Sequence, residues 1–438
     1  MLSQESNPLN LTDNPTVREY AGGLDPDVVM ASLEEHVLDA WFPRIIDREY
    51  GGFLSDFDCR WLPSEPHNKM LESQARQARL AAYAALFDPS RSDLKQAAEH
   101  GFRFLKDVMW DSEYGGWYRM VDRQGQPLEA ASKHGHGMTY AISACALHFK
   151  LTQDPDALRL AQEGFQWLER YAHDNQYGGY FIYFSQDGTL IGSPEQHPNC
   201  EPTDPMGNPL GLKDTNTNCD LLETLTDLYQ VWPDPLVKQR ISEQFTILRD
   251  RISVPSGALH FAFYPDWTPT PHLAIYGNAL QIACQVLKAA QEIGVEEEAR
   301  NLARRLVDHA LQVAWDPVNG GFYYAGSATG RIFLDGQIIF ADEKSWWVQA
   351  EGLRALLVMA LLEPSSSHDT YGERFQEQWA YIQKHILDPI AGGWRRFGTD
   401  YKPDSQASKS CIWKDSSHEG RALINVIQML RTGRPVCD

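Results

Sequence analysis

Six segments of the sequence combine small and apolar residues with polar and aromatic residues gathered at their N-terminal ends. Polar groups on a buried helix are costly unless they have partners or a function, so these residues are the candidates for chemistry. They are Gln74, Arg76, His134, His136, Asn216, Asn218, Asp220, Glu223, Tyr276, Asn278, Gln281, Trp346, Trp347, Gln349, Glu351, Trp413, Lys414, His418 and Arg421. Aromatic faces stack on the C–H groups of a pyranose, and arginine and carboxamide groups hydrogen-bond its hydroxyls. The set therefore predicts a sugar site.

Each member of this set also has an ordinary structural interpretation. A lone histidine such as His136 is more often structural than catalytic, and Glu223 is equally compatible with a buried tie between two helices. Trp346 and Trp347 are equally compatible with core positions. The His-Gly-His sequence at 134–136 has the spacing of metal ligands, but two ligands without a third nearby lead us to expect no metal.

A short phrase built around a glycine turn recurs along the whole chain. Its six copies begin at Tyr50 (YGGFLSDFD), Tyr114 (YGGWYRMVD), Tyr177 (YGGYFIYFSQDG), Ser256 (SGALHFAFYPD), Asn319 (NGGFYY) and Ala391 (AGGWRRFGTD). Successive copies are 63 to 79 residues apart, and such a period is typical of a stacked or closed array of repeated units. Because a glycine pair permits positive φ and alternating aromatics suit a half-buried strand, each copy predicts a turn followed by a short strand.

Two kinds of helix are predicted between these turns. Segments 94–110, 157–172 and 296–315 end just before a copy and space their apolar residues at i, i+3 and i+4, as amphipathic outer helices do. The six segments with polar N-terminal ends follow the copies, as inner helices open to a cavity at one mouth (70–87, 136–151, 216–232, 276–290, 344–362 and 417–431). Six inner and about six outer helices predict an all-α (α/α)6 toroid with short strands at the turns. An open solenoid is the alternative, and the lack of polar capping repeats favours closure.

The predicted toroid is a single catalytic domain over residues 20–435. Residues 1–19 are polar and are predicted to be a poorly ordered extension. Residues 193–214 are rich in proline, glycine and asparagine and lengthen the third unit beside the predicted mouth. Loops of this length often form lids or binding loops, so we expect a lid there, with a disordered excursion as the alternative.

Composition limits the classes of partner. The formal net charge is −20, and an acidic surface repels phosphate backbones and anionic lipids, so neither nucleic acid nor a membrane is expected as a partner. The N-terminal residues hold no apolar run of the kind found in a secretory signal, and no stretch approaches about 18 apolar residues, so we expect a cytoplasmic protein. The seven cysteines are scattered without C-x-x-C spacing, which favours reduced thiols.

Five motifs give the chain a resemblance to a known family: QARQARLAAY (74–83), NTNCDLLETLTDLYQVWPD (216–234), IYGNAL (275–280), KSWWVQAEGL (344–353) and WKDSSHEGRAL (413–423). Over essentially its whole length the chain resembles the N-acylglucosamine 2-epimerase superfamily, which includes cellobiose 2-epimerases and mannose isomerases. The resemblance implies an (α/α)6 barrel that acts on reducing sugars without a metal. It implies that Arg76 contacts the sugar near its reacting carbonyl and that His418 is the general acid/base. It also implies that Trp346, Glu351 and Trp413 belong to the same pocket.

The chain departs from the family pattern on two inner helices. The third inner helix of the family usually reads N-T-H-x-H, whereas residues 216–220 read N-T-N-C-D. The fourth usually reads Y-G-H-x-x-E, whereas residues 276–281 read Y-G-N-A-L-Q. Asn278 thus replaces the family's second proton-transferring histidine, and an amide cannot exchange a proton at neutral pH.

The leading hypothesis is a sugar isomerase or 2-epimerase that acts on a free or reducing-end aldose through an enediolate. His418 is predicted as general acid/base and Arg76 as the stabiliser of the enediolate. His136 is the available second base, with Asp220 and Glu351 as weaker substitutes. With a single base, isomerisation is the easier reaction, because one group moves the proton between C2 and C1 on one face. We expect the sugar to be bound by Asn216, Asn218, Asp220, Tyr276, Asn278, Trp346, Trp347 and Trp413.

Two other functional classes stay open at this point. A glycoside hydrolase would use two carboxylates from Asp220, Glu223 and Glu351. A carbohydrate-binding relative would keep the cleft and lack the chemistry. In each case the expected partner is a mono- or oligosaccharide, no cofactor is expected, and the chain is expected to be a monomer or a homodimer.

Overall fold

The computed structural model describes residues 21–193, 203, 204, 207, 209–271, 274–327, 332–334, 337–339, 343–363, 370–400 and 406–437. The extension predicted for residues 1–19 lies outside the described residues, as does much of the lid predicted for 193–214. The described residues form thirteen α-helices: α1 (Pro26–Leu33), α2 (Asp39–Ile45), α3 (Leu71–Phe87), α4 (Ser92–Phe104), α5 (Gly135–Thr152), α6 (Pro155–Trp167), α7 (Thr215–Val231), α8 (Pro235–Ile247), α9 (Tyr276–Ile293), α10 (Glu296–Val313), α11 (Trp346–Leu362), α12 (Thr370–Tyr381) and α13 (Ser417–Thr432).

The helices form two concentric rings. The inner ring consists of α3, α5, α7, α9, α11 and α13, each of which packs on the next, and α13 returns to pack on α3. The outer ring consists of α4, α6, α8, α10 and α12, and α1 and α2 complete it through a π-helical turn at Glu34–Leu38. This closed (α/α)6 barrel confirms the predicted fold and excludes the open solenoid. Among the described helices, none has the combined length and apolarity needed to cross a bilayer.

Burial follows the predicted division between the rings. Every residue of α5 from Gly135 to His148 is buried, as expected of an inner helix. Helix α10 instead buries one stripe at i, i+3 and i+4, from Ala299 to Ala310, which is the pattern of an outer amphipathic helix. Three outer helices, α1, α6 and α8, start with an aspartate that accepts a backbone N–H at the first turn and a proline just after it. This pairing satisfies a free donor and presets the helical φ.

Short antiparallel strands connect the turns with the inner helices. The pairs are β1 (Lys69–Met70) with β2 (Met120–Val121), β3 (Lys133–His134) with β4 (Tyr183–Phe184), β5 (Lys213–Asp214) with β6 (Ala262–Phe263), β7 (Ala274–Ile275) with β8 (Ala325–Gly326), and β9 (Ile332–Leu334) with β10 (Gln337–Ile339). In the first four pairs the first strand directly precedes an inner helix, and the second follows the next glycine turn. The first aromatic residues of the phrases make only single bridges, such as Trp117 with Trp110, and ladder pairing starts later, as at Tyr183–Phe184. The predicted strands are therefore shorter, and start later, than the aromatic pattern indicated.

A buried lysine ties each of five glycine turns to the inner helix that follows it. In the third unit, the Lys213 Nζ donates to Asp174 Oδ2 at 2.7 Å, to the Gly178 carbonyl at 2.7 Å and to the Pro265 carbonyl at 2.8 Å. An ammonium has three donors, and because all three have partners here, burial of the charge is compensated. The other four pairs are Lys69–Asp47, Lys133–Asp111, Lys344–Asp316 and Lys409–Asp388.

The fourth unit lacks both members of this ion pair. Val254 occupies the place of the aspartate, and Ala274 opens strand β7 where the other units have lysine. Loss of both partners together leaves no buried charge uncompensated. The turn is also one residue shorter, since the Val254 N–H donates to Ala258, whereas the Asp174 N–H donates to Gly179.

The lysine–aspartate pair should therefore show strong coupling in a double-mutant cycle. We expect Lys213→Met to lower the free energy of unfolding by about 3–5 kcal/mol, because it leaves Asp174 buried without its counter-charge. The double variant Lys213→Met/Asp174→Val, which copies the chemistry of the fourth unit, should cost less than the sum of the two single variants. Denaturant unfolding followed by circular dichroism measures both effects.

The control is Arg159→Ala, which removes an exposed ion pair with Glu163 and should cost only about 0–1 kcal/mol. Strict additivity of the two single substitutions would contradict the assigned role of the pair.

Candidate active site

A cavity of about 1090 Å³ opens where the inner helices begin. Ten of the candidate residues line it, namely Arg76, His136, Asn216, Asp220, Asn278, Gln281, Trp346, Trp347, Trp413 and His418. They come from, or lie just before, the first two turns of all six inner helices. The ring closure thus gathers residues that are up to several hundred positions apart in the sequence.

His418 and Glu351 form a hydrogen-bonded pair at the cavity wall. The Nδ1 atom of His418 lies 2.8 Å from Oε1 of Glu351. His418 lines the cavity, and Glu351 is fully buried behind it. The ring of Trp347 lies 5.5 Å from the His418 ring. Because a carboxylate only accepts, Nδ1 carries the proton and Nε2 keeps the lone pair that can act as a base.

Two arginines hold Glu351 in its ionised form. Arg421 Nη2 donates to Oε1 at 2.6 Å, and Arg354 Nη2 donates to Oε2 at 2.8 Å. Burial works to raise the pKa of Glu351, but the charges of Arg354 and Arg421 and the hydrogen bond with His418 keep that pKa far below its usual range. Glu351 therefore remains an acceptor for His418 throughout the neutral pH range.

Arg76 brings a positive charge to the cavity on a fixed support. Its Nη2 donates to the Tyr140 hydroxyl oxygen at 2.8 Å, and the guanidinium carbon lies 4.1 Å from the centre of that ring. Its Nη1 lies 3.6 Å from Oδ2 of Asp415. Tyr140 in turn donates to Asp220 Oδ2 at 2.6 Å. A guanidinium anchored in this way is a preorganised donor for a developing oxyanion.

His136 lies between two carboxylates. Its Nε2 lies 3.0 Å from Asp220 Oδ2, and its Nδ1 lies 3.7 Å from Glu72 Oε1. Burial opposes a charge on the ring, but the neighbouring carboxylates of Asp220 and Glu72 outweigh it and raise the pKa of His136 to about 9. Both ring nitrogens face an acceptor, so neither is free to take a proton from a substrate.

Carboxamides occupy the cavity face of α9. Asn278 Nδ2 donates to Asn216 Oδ1 at 2.8 Å, and Gln281 Nε2 donates to Asp220 Oδ1 at 2.7 Å. Amide groups of this kind donate and accept hydrogen bonds but do not titrate near neutral pH. This face of the cavity can therefore bind hydroxyl groups, and it lacks the base found at the corresponding place in the family pattern.

Two residues predicted to bind sugar belong to the scaffold instead. The Oδ1 of Asn218 accepts the Tyr180 backbone N–H at 3.1 Å, and its Nδ2 donates to the Asp214 carbonyl at 2.9 Å. Tyr276 donates its hydroxyl to the Ser327 carbonyl at 2.8 Å. Neither belongs to the cavity lining, so the structure corrects both assignments.

The clamp made by Asn218 recurs in two other units. Gln74 accepts the Phe53 N–H at 2.7 Å and donates to the Phe53 carbonyl at 2.8 Å. Gln349 makes the same two bonds with Phe322, at 2.9 and 2.7 Å. These carboxamides hydrogen-bond the backbone N–H and C=O groups next to the glycine turns. This structural role explains why they occur on otherwise apolar helices.

Several lining residues were not predicted, namely Tyr140, Phe261, Tyr324, Glu343, Arg396 and Phe397. Tyr140 is four residues after His136, so helical spacing alone puts both side chains on one face. Phe261, Tyr324 and Arg396 belong to the turn phrases. The alternation within those phrases could have identified these lining residues, since alternate residues of an extended segment point to one side.

The profile of the N-acylglucosamine 2-epimerase (GlcNAc 2-epimerase) family matches residues 52–154 and 283–415, more than half of the chain. The chain belongs to this family. A cellobiose 2-epimerase of Bacteroides fragilis is 25% identical to it over 90% of this chain and 96% of its own. A D-mannose isomerase of Marinomonas mediterranea is 25% identical over 91% of this chain and 97% of its own.

Among solved structures, the cellobiose 2-epimerase of Bacillus thermoamylovorans is similar with a TM-score of 0.80 at 20% identity. The match covers 92% of this chain and 98% of that one. At this identity the likeness bears on the fold, and it agrees with the closed barrel described above.

The two neighbouring asparagines of α7 should respond differently to truncation. Asn218→Ala should lower the free energy of unfolding by about 1–3 kcal/mol, because it leaves buried backbone groups of the third turn without partners. Asn216→Ala should cost much less, since Asn216 is half-buried at the cavity and its side chain contacts another side chain, Asn278. Thermal and denaturant unfolding compare the two. Equal losses of stability would contradict the division between clamp and cavity residue.

Proposed function

We propose that this member of the family is a sugar isomerase or 2-epimerase, acting on a free or reducing-end aldose by proton transfer through an enediolate. The observation that carries the proposal is the His418–Glu351 pair. It presents an oriented imidazole at the wall of a cavity large enough for a mono- or disaccharide. The sugar-epimerising and sugar-isomerising relatives support the same reaction class.

In this proposal His418 removes the proton at C2 of the open-chain aldose. Glu351 fixes the tautomer through Nδ1, so Nε2 is the atom that takes the proton. Glu351 also stabilises the imidazolium that forms, and the two arginines prevent it from taking the proton itself. His418 then returns the proton to C1 while the hydroxyl proton moves from O2 to O1, which gives the ketose; return of the proton to C2 on the same face regenerates the starting aldose.

Arg76 is the proposed stabiliser of the enediolate oxygen. Its charge is available in the cavity before the reaction starts, and its contacts with Tyr140 and Asp415 prevent it from reorienting. Removal of a preorganised donor of this kind typically costs about 10²–10³-fold in kcat. Trp346, Trp347 and Trp413 supply aromatic surface for the sugar ring and are the proposed walls of the substrate site.

Aldose–ketose isomerisation fits the site better than two-base epimerisation. Epimerisation delivers a proton to the face opposite the one from which it was removed, which calls for a second base. Asn278 and Gln281 cannot serve, and both nitrogens of His136 are engaged by carboxylates. One base moving a proton between C2 and C1 on the same face needs no such partner.

Hydrolysis by paired carboxylates fits less well. A glycosidase needs one carboxylic acid with a raised pKa as proton donor. Burial acts to raise the pKa of Asp220, Glu223 and Glu351, but neighbouring cationic groups outweigh it and lower the pKa of all three. Glu223 is held by Arg79 at 2.7 Å and by Arg421 at 2.6 Å, so it has no proton to give.

Solvent-exchange experiments test the reaction class. Incubation with mannose, glucose, cellobiose and mannobiose in D2O should yield the corresponding ketose with deuterium at C1, and recovered aldose with deuterium at C2, both detected by NMR. Sugar interconversion without reducing-end release from longer oligosaccharides separates this activity from hydrolysis. Binding of these sugars with neither deuterium incorporation nor conversion would reject the proposal and favour a carbohydrate-binding relative.

Glu351→Gln tests the dyad. The amide keeps the shape of the side chain but cannot stabilise an imidazolium, so kcat should fall about 10²–10⁴-fold. KM should change little, because Glu351 does not line the cavity. The matched control is Glu363→Gln, just beyond the C-terminal end of the same helix, which should leave kcat unchanged. A kcat near that of the wild type for Glu351→Gln would refute the assigned role.

Asn278→His combined with Gln281→Glu tests the single-base interpretation. This pair of substitutions restores the family's Y-G-H-x-x-E pattern on α9 and supplies a base on that face of the cavity. We expect the ratio of C2 epimer to ketose to rise at least about tenfold, on the scale of a gained general base. Product analysis by NMR measures the ratio. An unchanged ratio in a folded variant would show that position 278 does not face C2.

A further inference from the structure

Three side chains at the starts of α3 and α5 bring metal-binding atoms together behind the cavity wall. Glu72, His134 and His136 each offer one ligand atom, and these atoms all lie within 4.8 Å of one another. The three residues are 0, 0 and 2% exposed. We propose that they form a binding site for one divalent metal ion of the Zn²⁺ class. No step of the proposed sugar reaction uses this ion, so the two proposals are independent.

The separations between Glu72 and the two histidines are close to those around a tetrahedral ion. Zn–N and Zn–O bonds of about 2.0–2.2 Å place neighbouring ligand atoms about 3.3–3.5 Å apart. His134 Nδ1 lies 3.1 Å and His136 Nδ1 lies 3.7 Å from the same Glu72 oxygen, Oε1. Two imidazoles and a carboxylate are also a ligand set that Zn²⁺ commonly takes in proteins.

The polar atoms of this cluster lack other partners. Both carboxylate oxygens of Glu72, both ring nitrogens of His134 and Nδ1 of His136 are buried without a well-formed hydrogen bond among the described residues. Close contacts without hydrogen-bond geometry are what a metal site requires, because each ligand points at the ion and not at its neighbour. A bound ion would give a partner to one atom of each residue, and a buried polar atom without a partner otherwise costs free energy.

The surroundings of His136 supply a second, independent indication. Its Nε2 lies 3.0 Å from the carboxylate of Asp220. Metal-binding histidines typically donate their other ring N–H to a carboxylate in this way, which fixes the tautomer that coordinates the ion. Glu72 and Asp220 together also carry two negative charges, which balance the two positive charges of a divalent cation.

Glu72 is the third ligand that the His-x-His sequence at 134–136 lacked in the sequence analysis. The third ligand comes from the preceding inner helix, 62 positions before His134, and the packing of α3 on α5 brings it near. An ion there would tie the first turns of α3 and α5 together and would fix His136 at the edge of the sugar cavity. Its expected effect is therefore on stability and on the order of this wall.

Cobalt substitution tests the site directly. The full-length protein, with any affinity tag removed, is stripped with EDTA and titrated with Co²⁺. We expect the visible absorption of a tetrahedral nitrogen–oxygen site, saturating at one ion per chain and displaced by Zn²⁺. Zn²⁺ should also raise the Tm of the stripped protein, because it binds the folded state. Absence of saturable ligand-field absorption in the wild type would overturn the proposal without any variant.

Variants locate the ion. Glu72→Gln and His134→Gln should abolish the absorption and the Zn²⁺-dependent rise in Tm, and Asp220→Asn should weaken binding about 10–100-fold. The matched control is His148→Gln, which removes another buried histidine of α5, one that stacks on Phe102, and which should leave binding unchanged. Wild-type affinity in Glu72→Gln or His134→Gln, or loss of binding in His148→Gln, would overturn the assignment.

Discussion

The buried lysine–aspartate pair, present in five of the six units, is the interaction on which the arrangement of those units depends. It binds a glycine turn, which ends one outer helix, to the strand that starts the next inner helix. An uncompensated ammonium in this interior would be too costly to keep, so the lysine holds the turn carbonyl and the aspartate in one arrangement. The candidate site lies immediately downstream: Arg76 follows Lys69 by seven positions, and His136 follows Lys133 by three. Once the lysines fix where the inner helices start, the cavity residues have little freedom.

The closed ring could be predicted from the periodicity of the sequence. Glycine turns recur along the chain, and two classes of helix alternate between them. The lysine pairs could not be predicted in the same way. The lysine lies 18 positions after the bonded glycine in the first two units, but 35 in the third and 24 in the fifth. With such variable spacing, no periodic pattern connects the lysine with the turn, and only the folded chain shows that both serve one function.

The candidate site could be predicted in part, and the division follows helix geometry. Asn216 and Asp220 are four positions apart and share one face of α7, which is the face that lines the cavity. Asn218 lies between them, about 200° around the helix from Asn216, so it faces the turn behind. Composition does not distinguish the cavity face of a helix from the face that meets the turn, so it predicts the same sugar-binding role for carboxamides on both. The same limit applies to His134 and Glu72, whose proximity arises from packing between neighbouring helices.

The orientation of His418 is set by charged residues in the interior of the barrel. Arg421 donates both to Glu351 and to Glu223, and Glu223 also accepts from Arg79. Opposite charges therefore alternate along this chain of side chains. Glu351 stays anionic because Arg354 and Arg421 both donate to it, so it remains an acceptor that orients His418. By contrast, carboxylates face both ring nitrogens of His136, so the two histidines of the cavity differ in what they can offer a substrate.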